Sequence, residues 1–170
     1  MTRSRVCVYI SRMDVPTKGY LFETEEHRAL REQIRRFAAS SIAPNAQAWE
    51  EANEFPRELY PQAADAGFLG VGYPEELGGN GGDLTHVLVA SEEMVLAGKS
   101  VGTVVGLGSL GIAIPPILKF GNDEQKERFA RPALAGEKIS ALGITEPGGG
   151  SDVAAVRTKA VLDGDHYIVN

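Results

Sequence analysis

The sequence predicts an α+β chain: an N-terminal all-helical bundle followed by the first strands of an antiparallel β domain. Three observations predict it. Apolar residues recur at helical spacing from Thr24 to about residue 135. The pattern then turns strand-like at "KISALGIT" (138–145). Finally, "RTKAVLDGDHYIVN" (157–170) reads as two strands around Asp163-Gly164, a hairpin turn signal. Helices followed by strands, rather than alternating with them, argue for α+β or for two domains.

The elements follow in order. Leu30, Ile34, Phe37 and Ala38 define the inner face of a first helix, with charges between them. Pro44 suits the first turn of a short second helix carrying Ala48 and Trp49. Pro56 opens a third, with Leu59, Tyr60, Ala63 and Ala64 on one face and Gly67 as its stop. "GVGYPEELGGNGGD" (70–83) is a loop by composition. Asp83 caps the next helix, whose face is read as Leu84, Val87, Leu88, Ser91, Met94 and Val95. A mostly apolar helix follows and ends at Phe120-Gly121. Asn122 with Gln125 forms a capping box that opens a charged helix to about Ala130.

Composition bounds the function. The 170 residues carry a formal charge of −6, without a basic patch, which argues against nucleic acid as the main partner. One cysteine, Cys7, excludes an internal disulfide and a multi-cysteine zinc site, and fits a reducing compartment. His27, His86 and His166 show no metal-ligand spacing. The opening "MTRSRVCVYISRM" bears Arg3, Arg5 and Arg12 and no acid. It reads as a frayed tail, with a faint likeness to a mitochondrial transit peptide. Residues 101–118 are uncharged and reach the minimum length of a membrane span. Four glycines and two adjacent prolines favour a buried helix in a bundle instead, so no span is expected.

Glycine is in excess, 20 of 170, and clusters at 78–82, 102–111 and 148–150. Residues 106–111, "GLGSLG", match the dinucleotide pattern G-x-G-x-x-G. The context differs: the stretch lies between helices, and Pro115 and Pro116 are expected to stop the helix such a motif requires. These glycines are read as close-approach positions. "TEPGGGSD" (145–152) has two local readings. A glycine turn at φ > 0 could aim its N–H groups into an anion nest, helped by Thr145 and Ser151. A structural loop capped by Asp152 or Ser151 is the other.

"GITEPGGGSDVAAVRTKA" (143–160) resembles the first signature of the acyl-CoA dehydrogenase family. "YPEELGGNGG" (73–82), "KFGNDEQKERF" (119–129) and "DGDHYIVN" (163–170) resemble further stretches of that family, in the same order. The likeness runs from about Phe22 to the end and implies three regions: a tail (1–21), a helical N-terminal domain (22–136) and the beginning of the middle β domain (137–170). It implies FAD as cofactor and α,β-desaturation of an acyl-CoA, with electrons passed to an electron-transfer flavoprotein. Carried over, the Thr145 hydroxyl and backbone bond the pyrimidine side of the flavin, and Ile144 gives main-chain contacts beside the ring. Gly150 and Ser151 meet the FAD pyrophosphate or the CoA side of the site. Leu142 stands where an aromatic residue is common. The glycine-rich helix 101–118 and the loop 78–82 are expected to line the acyl cleft. Glu146 matches a structural glutamate, and the pairs Glu75-Glu76 and Glu92-Glu93 read as solvated faces. No catalytic base is assigned, since in the family it is usually a Glu of the C-terminal domain, expected outside this chain. The resemblance implies a homo-oligomer, a tetramer in the family, in cytoplasm or mitochondrial matrix. A non-catalytic reading stands beside it: a CoA-ester-binding or assembly module that pairs with a longer homologue.

Overall fold

The computed structural model describes Tyr20 and residues 22–170. Cys7 and the arginine-bearing opening lie outside the described residues. Helix α1 (Glu25–Phe37) is capped by Thr24, whose side chain accepts the His27 N–H. Ile34 and Ala38 are fully buried, and Leu30 and Phe37 pack partly against them. The helix ends in a π turn, Ala38–Ile42, in which the Ala43 N–H donates to the Ala38 carbonyl at 2.9 Å. Pro44, lacking an N–H, continues no α ladder here. Helices α2 (Ala46–Ala52) and α3 (Leu59–Asp65) follow. Gly67, at φ +81°, ends the α3 segment as its sequence position predicts.

Helix α4 (Leu84–Gly98) packs along α1 and the π turn. Asp83 is its cap, accepting the N–H groups of Thr85 and His86. Its buried face differs from the sequence reading. Val89, Ala90, Glu93 and Met94 point inward, while Leu84 is 82% and Leu88 47% exposed. The reason is Glu93. It lies on the α1-facing side because Arg31 and Arg35 of α1 bond it there, which rotates the leucines outward. The expectation that Glu92 and Glu93 form a solvated face is therefore corrected: Glu93 is buried and ion-paired on two sides.

Helices α5 (Val101–Leu107) and α6 (Leu110–Phe120) are nearly continuous and break only at Gly108-Ser109. Together, Val101–Phe120 are long and apolar enough to cross a membrane by length and composition alone. In the fold this segment lends a stripe, Val104, Leu107, Leu110 and Ile114, to the core. Val105, Ile112 and Phe120 stay exposed, so the helix is buried on one face and not all round. Pro115 and Pro116 do not stop α6, contrary to expectation. The carbonyls they leave without an i+4 donor belong to Gly111 and Ile112, both exposed residues, so the lost bonds fall on the side open to water. Gly106 does make a close approach, since a Cβ there would lie 2.6 Å from the Phe55 ring. Helix α7 (Asp123–Gln125), with the expected Asn122–Gln125 box, runs through a π turn (Lys126–Ala130) into α8 (Arg131–Leu134).

After Gly136 the helices end, and a short 3-10 turn, Val153–Ala155, is the one helical piece that follows among the described residues. Residues 139–145 form no ladder, so the strand expected at 138–145 is not formed among the described residues. The hairpin is present. Strands β1 (Ala160–Asp163) and β2 (His166–Val169) pair antiparallel, from Ala160↔Val169 to Asp163↔His166. Its two-residue turn is Gly164-Asp165, one residue later than read, because Gly164 (φ +64°) supplies the positive φ that a first central position demands.

Candidate functional site

A cleft of about 130 Å³ opens where three segments meet: the turn after α3, the middle of α4 and the α5–α6 junction. Leu69, Val71 and Tyr73 form one wall, Val87 and Ala90 a second, and Leu107–Gly108 with Leu110–Gly111 a third. Every lining side chain is apolar except Ser91 and the hydroxyl of Tyr73. Burial raises the pKa of Tyr73, so it stays neutral. Such a lining takes a hydrocarbon chain and excludes water. The glycine-rich helix lines it as expected, through Leu107–Gly111. The loop 78–82 does not. It is stapled onto residues 70–73 by Asn80 N–H to the Gly70 carbonyl (2.8 Å), Gly72 N–H to Gly81 (2.7 Å) and Gly81 N–H to Tyr73 (2.9 Å). Val71 and Tyr73 of this wall were hidden in the stretch 70–83, whose glycines read as loop.

Ser109, at the rim formed by the α5–α6 junction, ties this cleft to the signature segment. Its hydroxyl donates to the Ser140 carbonyl at 3.0 Å. Leu142 and Ile144 follow, 47% and 42% exposed, and then Thr145, also exposed. Residues 146–149 form a tight reversal: Glu146 and Gly149 exchange backbone bonds of 3.0 and 3.1 Å. The reversal brings Thr145 beside Gly150, where a Cβ would sit 3.8 Å from Thr145 Cγ2. Ser151 follows directly. Thr145, Gly150 and Ser151 are thus brought together, while Leu142 and Ile144 lead into them.

Glu146 holds this shape, as its reading as a hydrogen-bonding residue expects. Its carboxylate accepts the Thr158 hydroxyl (2.6 Å) and the N–H groups of Arg157 (2.9 Å) and Thr158 (2.8 Å). These bonds, the Thr158 hydroxyl foremost, keep its carboxyl below the usual range. It is spent as a clamp and is not free to act as a base.

The glycine triplet differs from the nest reading. Gly148, Gly149 and Gly150 have no positive φ. Nor does anything in the chain crowd them: a Cβ at Gly148 would meet nothing within 4 Å, and those at Gly149 and Gly150 only ordinary contacts. Three adjacent glycines are costly to order. Neither backbone conformation nor internal packing requires them, so the requirement is an approach from outside these residues. A flat cofactor edge or a pyrophosphate against bare backbone fits that requirement, with the Thr145 and Ser151 hydroxyls as donors.

The "GLGSLG" pattern is helix, turn and helix start, with no strand before it. It has no dinucleotide-binding geometry. The histidines also differ from the sequence reading. His27 and His86, distant in sequence, have ring centroids 3.9 Å apart beside Asp83. Only the docking of α1 on α4 reveals that pair.

The sequence model described as acyl-CoA dehydrogenase, N-terminal domain, matches residues 24–137. Mitochondrial isovaleryl-CoA dehydrogenase of Pongo abelii is 40% identical over 150 residues, covering 86% of this chain and 35% of that protein. The crystal structure of a putative acyl-CoA dehydrogenase from Mycobacterium smegmatis superposes with a TM-score of 0.84 at 48% identity, over 89% of this chain and 40% of that one. An acyl-CoA dehydrogenase from Bacillus anthracis, solved in complex with FAD, gives 0.78 at 32% identity, over 95% and 27%. The chain thus spans about two fifths or less of the length of these relatives. With the family model matched across the helices and the signature folded beside an apolar cleft, the chain belongs to the acyl-CoA dehydrogenase family.

Proposed function

We propose that these residues form the acyl-binding helical part (22–136) and the first cofactor-facing segment (137–170) of an FAD-dependent enzyme that desaturates acyl-CoA thioesters between Cα and Cβ. The observation that carries the reading is the glycine triplet. It is bare without internal cause and stands beside Thr145 and Ser151.

When bound, FAD supplies the acceptor for the hydride that leaves Cβ. The chain's own part is threefold. Leu69, Val71, Val87 and Leu107 hold the hydrocarbon and keep water from it. The Thr145 hydroxyl and the amides of Ile144 and Thr145 hydrogen-bond the ring edge and favour its electron-rich form. Gly150 and Ser151 give N–H and hydroxyl donors to a phosphate. Leu142 provides an aliphatic face where an aromatic ring could stack. The base that takes the α-proton must be a carboxylate in a dry pocket. Glu146 is committed elsewhere and Glu93 is locked by two arginines, so these residues assign none. Electron-transfer flavoprotein as oxidant and a homo-oligomeric assembly complete the proposal, in cytoplasm or mitochondrial matrix.

The test is a titration of the ¹⁵N-labelled chain with FAD. Amide shifts at Ile144, Thr145, Gly150 and Ser151 are expected, weakened in Gly148→Val, whose own fold has room for the side chain. FAD that leaves these amides unmoved overturns the reading. Anaerobic acyl-CoA is expected to leave the flavin band unbleached, and bleaching would place a base within these 170 residues. One observation favours the assembly reading: Val161, Leu162 and Tyr167 of the hairpin are 57%, 61% and 64% exposed. A monodisperse monomer in sedimentation would count against it.

A further inference from the structure

Two glycines face the cleft at the α5–α6 junction, and the fold itself requires only one of them. A Cβ at Gly108 would lie 3.1 Å from the Val104 carbonyl oxygen, so that residue has an internal reason to be bare. Gly111 has none. It is the second residue of α6, its φ is not positive, and a Cβ there would meet nothing within 4 Å. Glycine is a poor helix former, because it loses the most backbone freedom on folding. At Gly111 nothing inside the chain offsets that cost. The residue is exposed and lines the cleft, which places the requirement on what enters there.

Burial gives the cleft its direction. Leu69, Val71, Ala90, Leu107 and Leu110 are buried, whereas Gly108 and Gly111 are exposed. The first set is the inner end and the two glycines are the mouth. Every side chain at the inner end is a hydrocarbon. A hydroxyl or a carboxylate carried there would lose its water and gain no side-chain partner.

Volume bounds the occupant. A dry apolar cavity of about 150 Å³ holds one benzene molecule, six carbons. The cleft, at about 130 Å³, therefore admits about six carbons at most. Ser109 joins its rim to the signature segment through the Ser140 carbonyl. Carbons that react beside that segment lie outside the mouth, and the cleft takes the tail that follows them.

We propose, resting on the acyl-CoA reading above, that the cleft takes an uncharged hydrocarbon tail of about six carbons at most beyond Cβ, and that Gly111 keeps its mouth open. The substrate class is then a short or medium acyl group and not a long one. A larger side chain at Gly111 would close the entrance.

Straight-chain alcohols test this, because they stand in for the tail alone and need neither CoA nor flavin. They are titrated into the full 170-residue chain, and the methyl resonances of Leu69, Val71 and Leu107 are followed by NMR. Each buried methylene should tighten binding about fourfold, so hexanol should bind at least tenfold more tightly than butanol. Decanol should gain less than threefold over hexanol, since its further carbons stay in water. Hexanediol, with a hydroxyl at each end, should bind at least tenfold more weakly than hexanol. Gly111→Val should weaken hexanol at least tenfold, while Ile112→Ala, on the same helix and outside the cleft, leaves it unchanged. Ala90→Leu fills the inner end and serves if the valine variant loses its helical circular dichroism; in it hexanol should bind no more tightly than butanol. Affinity that climbs through decanol, methyl resonances that no alcohol moves, hexanediol equal to hexanol, or full hexanol affinity in folded Gly111→Val overturns the proposal. FAD shifts at Gly150 and Ser151 are read on the same chain. Their absence beside an intact alcohol series would overturn the cofactor reading and leave the tail length standing.

Discussion

Glu93 concentrates the electrostatics of the helical part on one side chain. Its Oε1 accepts from Arg31 (2.7 Å) and Arg35 (2.9 Å), and its Oε2 from Arg35 again (2.9 Å). Burial opposes its ionisation, but the bonds from Arg35 and Arg31 outweigh that and hold its pKa below the usual value. Glu23, bonded by Arg31, is lowered too. A carboxylate whose pKa falls on folding stabilises the fold fully above its unfolded value and loses that contribution as pH drops through the folded one. The helical part should therefore lose stability progressively below about pH 4.5. Glu93→Gln leaves two arginines under-compensated and should cost about 2–3 kcal/mol at pH 7, with a shallower decline in acid. Urea midpoints at pH 7 and pH 4 check both. Equal losses at the two pH values would show that packing, not charge, is what Glu93 contributes.

At the scale of elements, the α5–α6 segment shows what its glycines are for. Gly106 and Gly111 look alike in "GLGSLG", yet their surroundings are opposite. A Cβ at Gly106 would press on the Phe55 ring at 2.6 and 2.9 Å, whereas one at Gly111 meets nothing within 4 Å. Gly106→Ala should destabilise by about 1–3 kcal/mol through overpacking. Gly111→Ala should stabilise by up to about 1 kcal/mol, since alanine loses less freedom in a helix. Thermal midpoints moving in the same direction would refute the contrast. This difference was not legible in the sequence, because it depends on where Phe55 lands. What was legible rests on local rules. The caps at Asp83 and Asn122, the stop at Gly67 and the hairpin near Gly164 follow from backbone chemistry within a few residues. The misreadings were of tertiary origin: the outward Leu84 and Leu88, the prolines tolerated by solvated carbonyls, and the unpaired 138–145. The site divides the same way. Thr145, Gly150 and Ser151 came from a contiguous motif, while the wall at 68–73 and the His27–His86 pair needed the fold.

At the scale of the whole molecule, burial among the described residues is uneven along the chain. The helices share one core, from Ile34 of α1 to Leu134 of α8. The segment that follows is tied to them near its start: the Pro132 carbonyl accepts the N–H groups of Glu137 (2.9 Å) and Lys138 (3.0 Å), Gly136 sits against Tyr60, the Arg57 guanidinium donates to the Glu137 carbonyl (3.2 Å), and the Ser109 hydroxyl to that of Ser140. Beyond Ser140 no buried hydrophobic residue occurs, and all of β1 and β2 is exposed. A lone two-stranded hairpin is marginal in water. Removing residues 160–170 should therefore shift the stability of the helical part by less than about 0.5 kcal/mol, the range of changes that touch no core. Hydrogen exchange on the intact chain should show β1 and β2 amides opening far faster than those of α1 and α4. A large loss of helical stability on deletion would mean that the hairpin packs on the helices, and that the unpartnered faces of Val161, Leu162 and Tyr167 are covered within this chain. The expected result, helices intact and hairpin open, leaves those faces to contacts the hairpin does not make with the helices. It also makes the helical part the unit on which cleft binding can be measured without the hairpin.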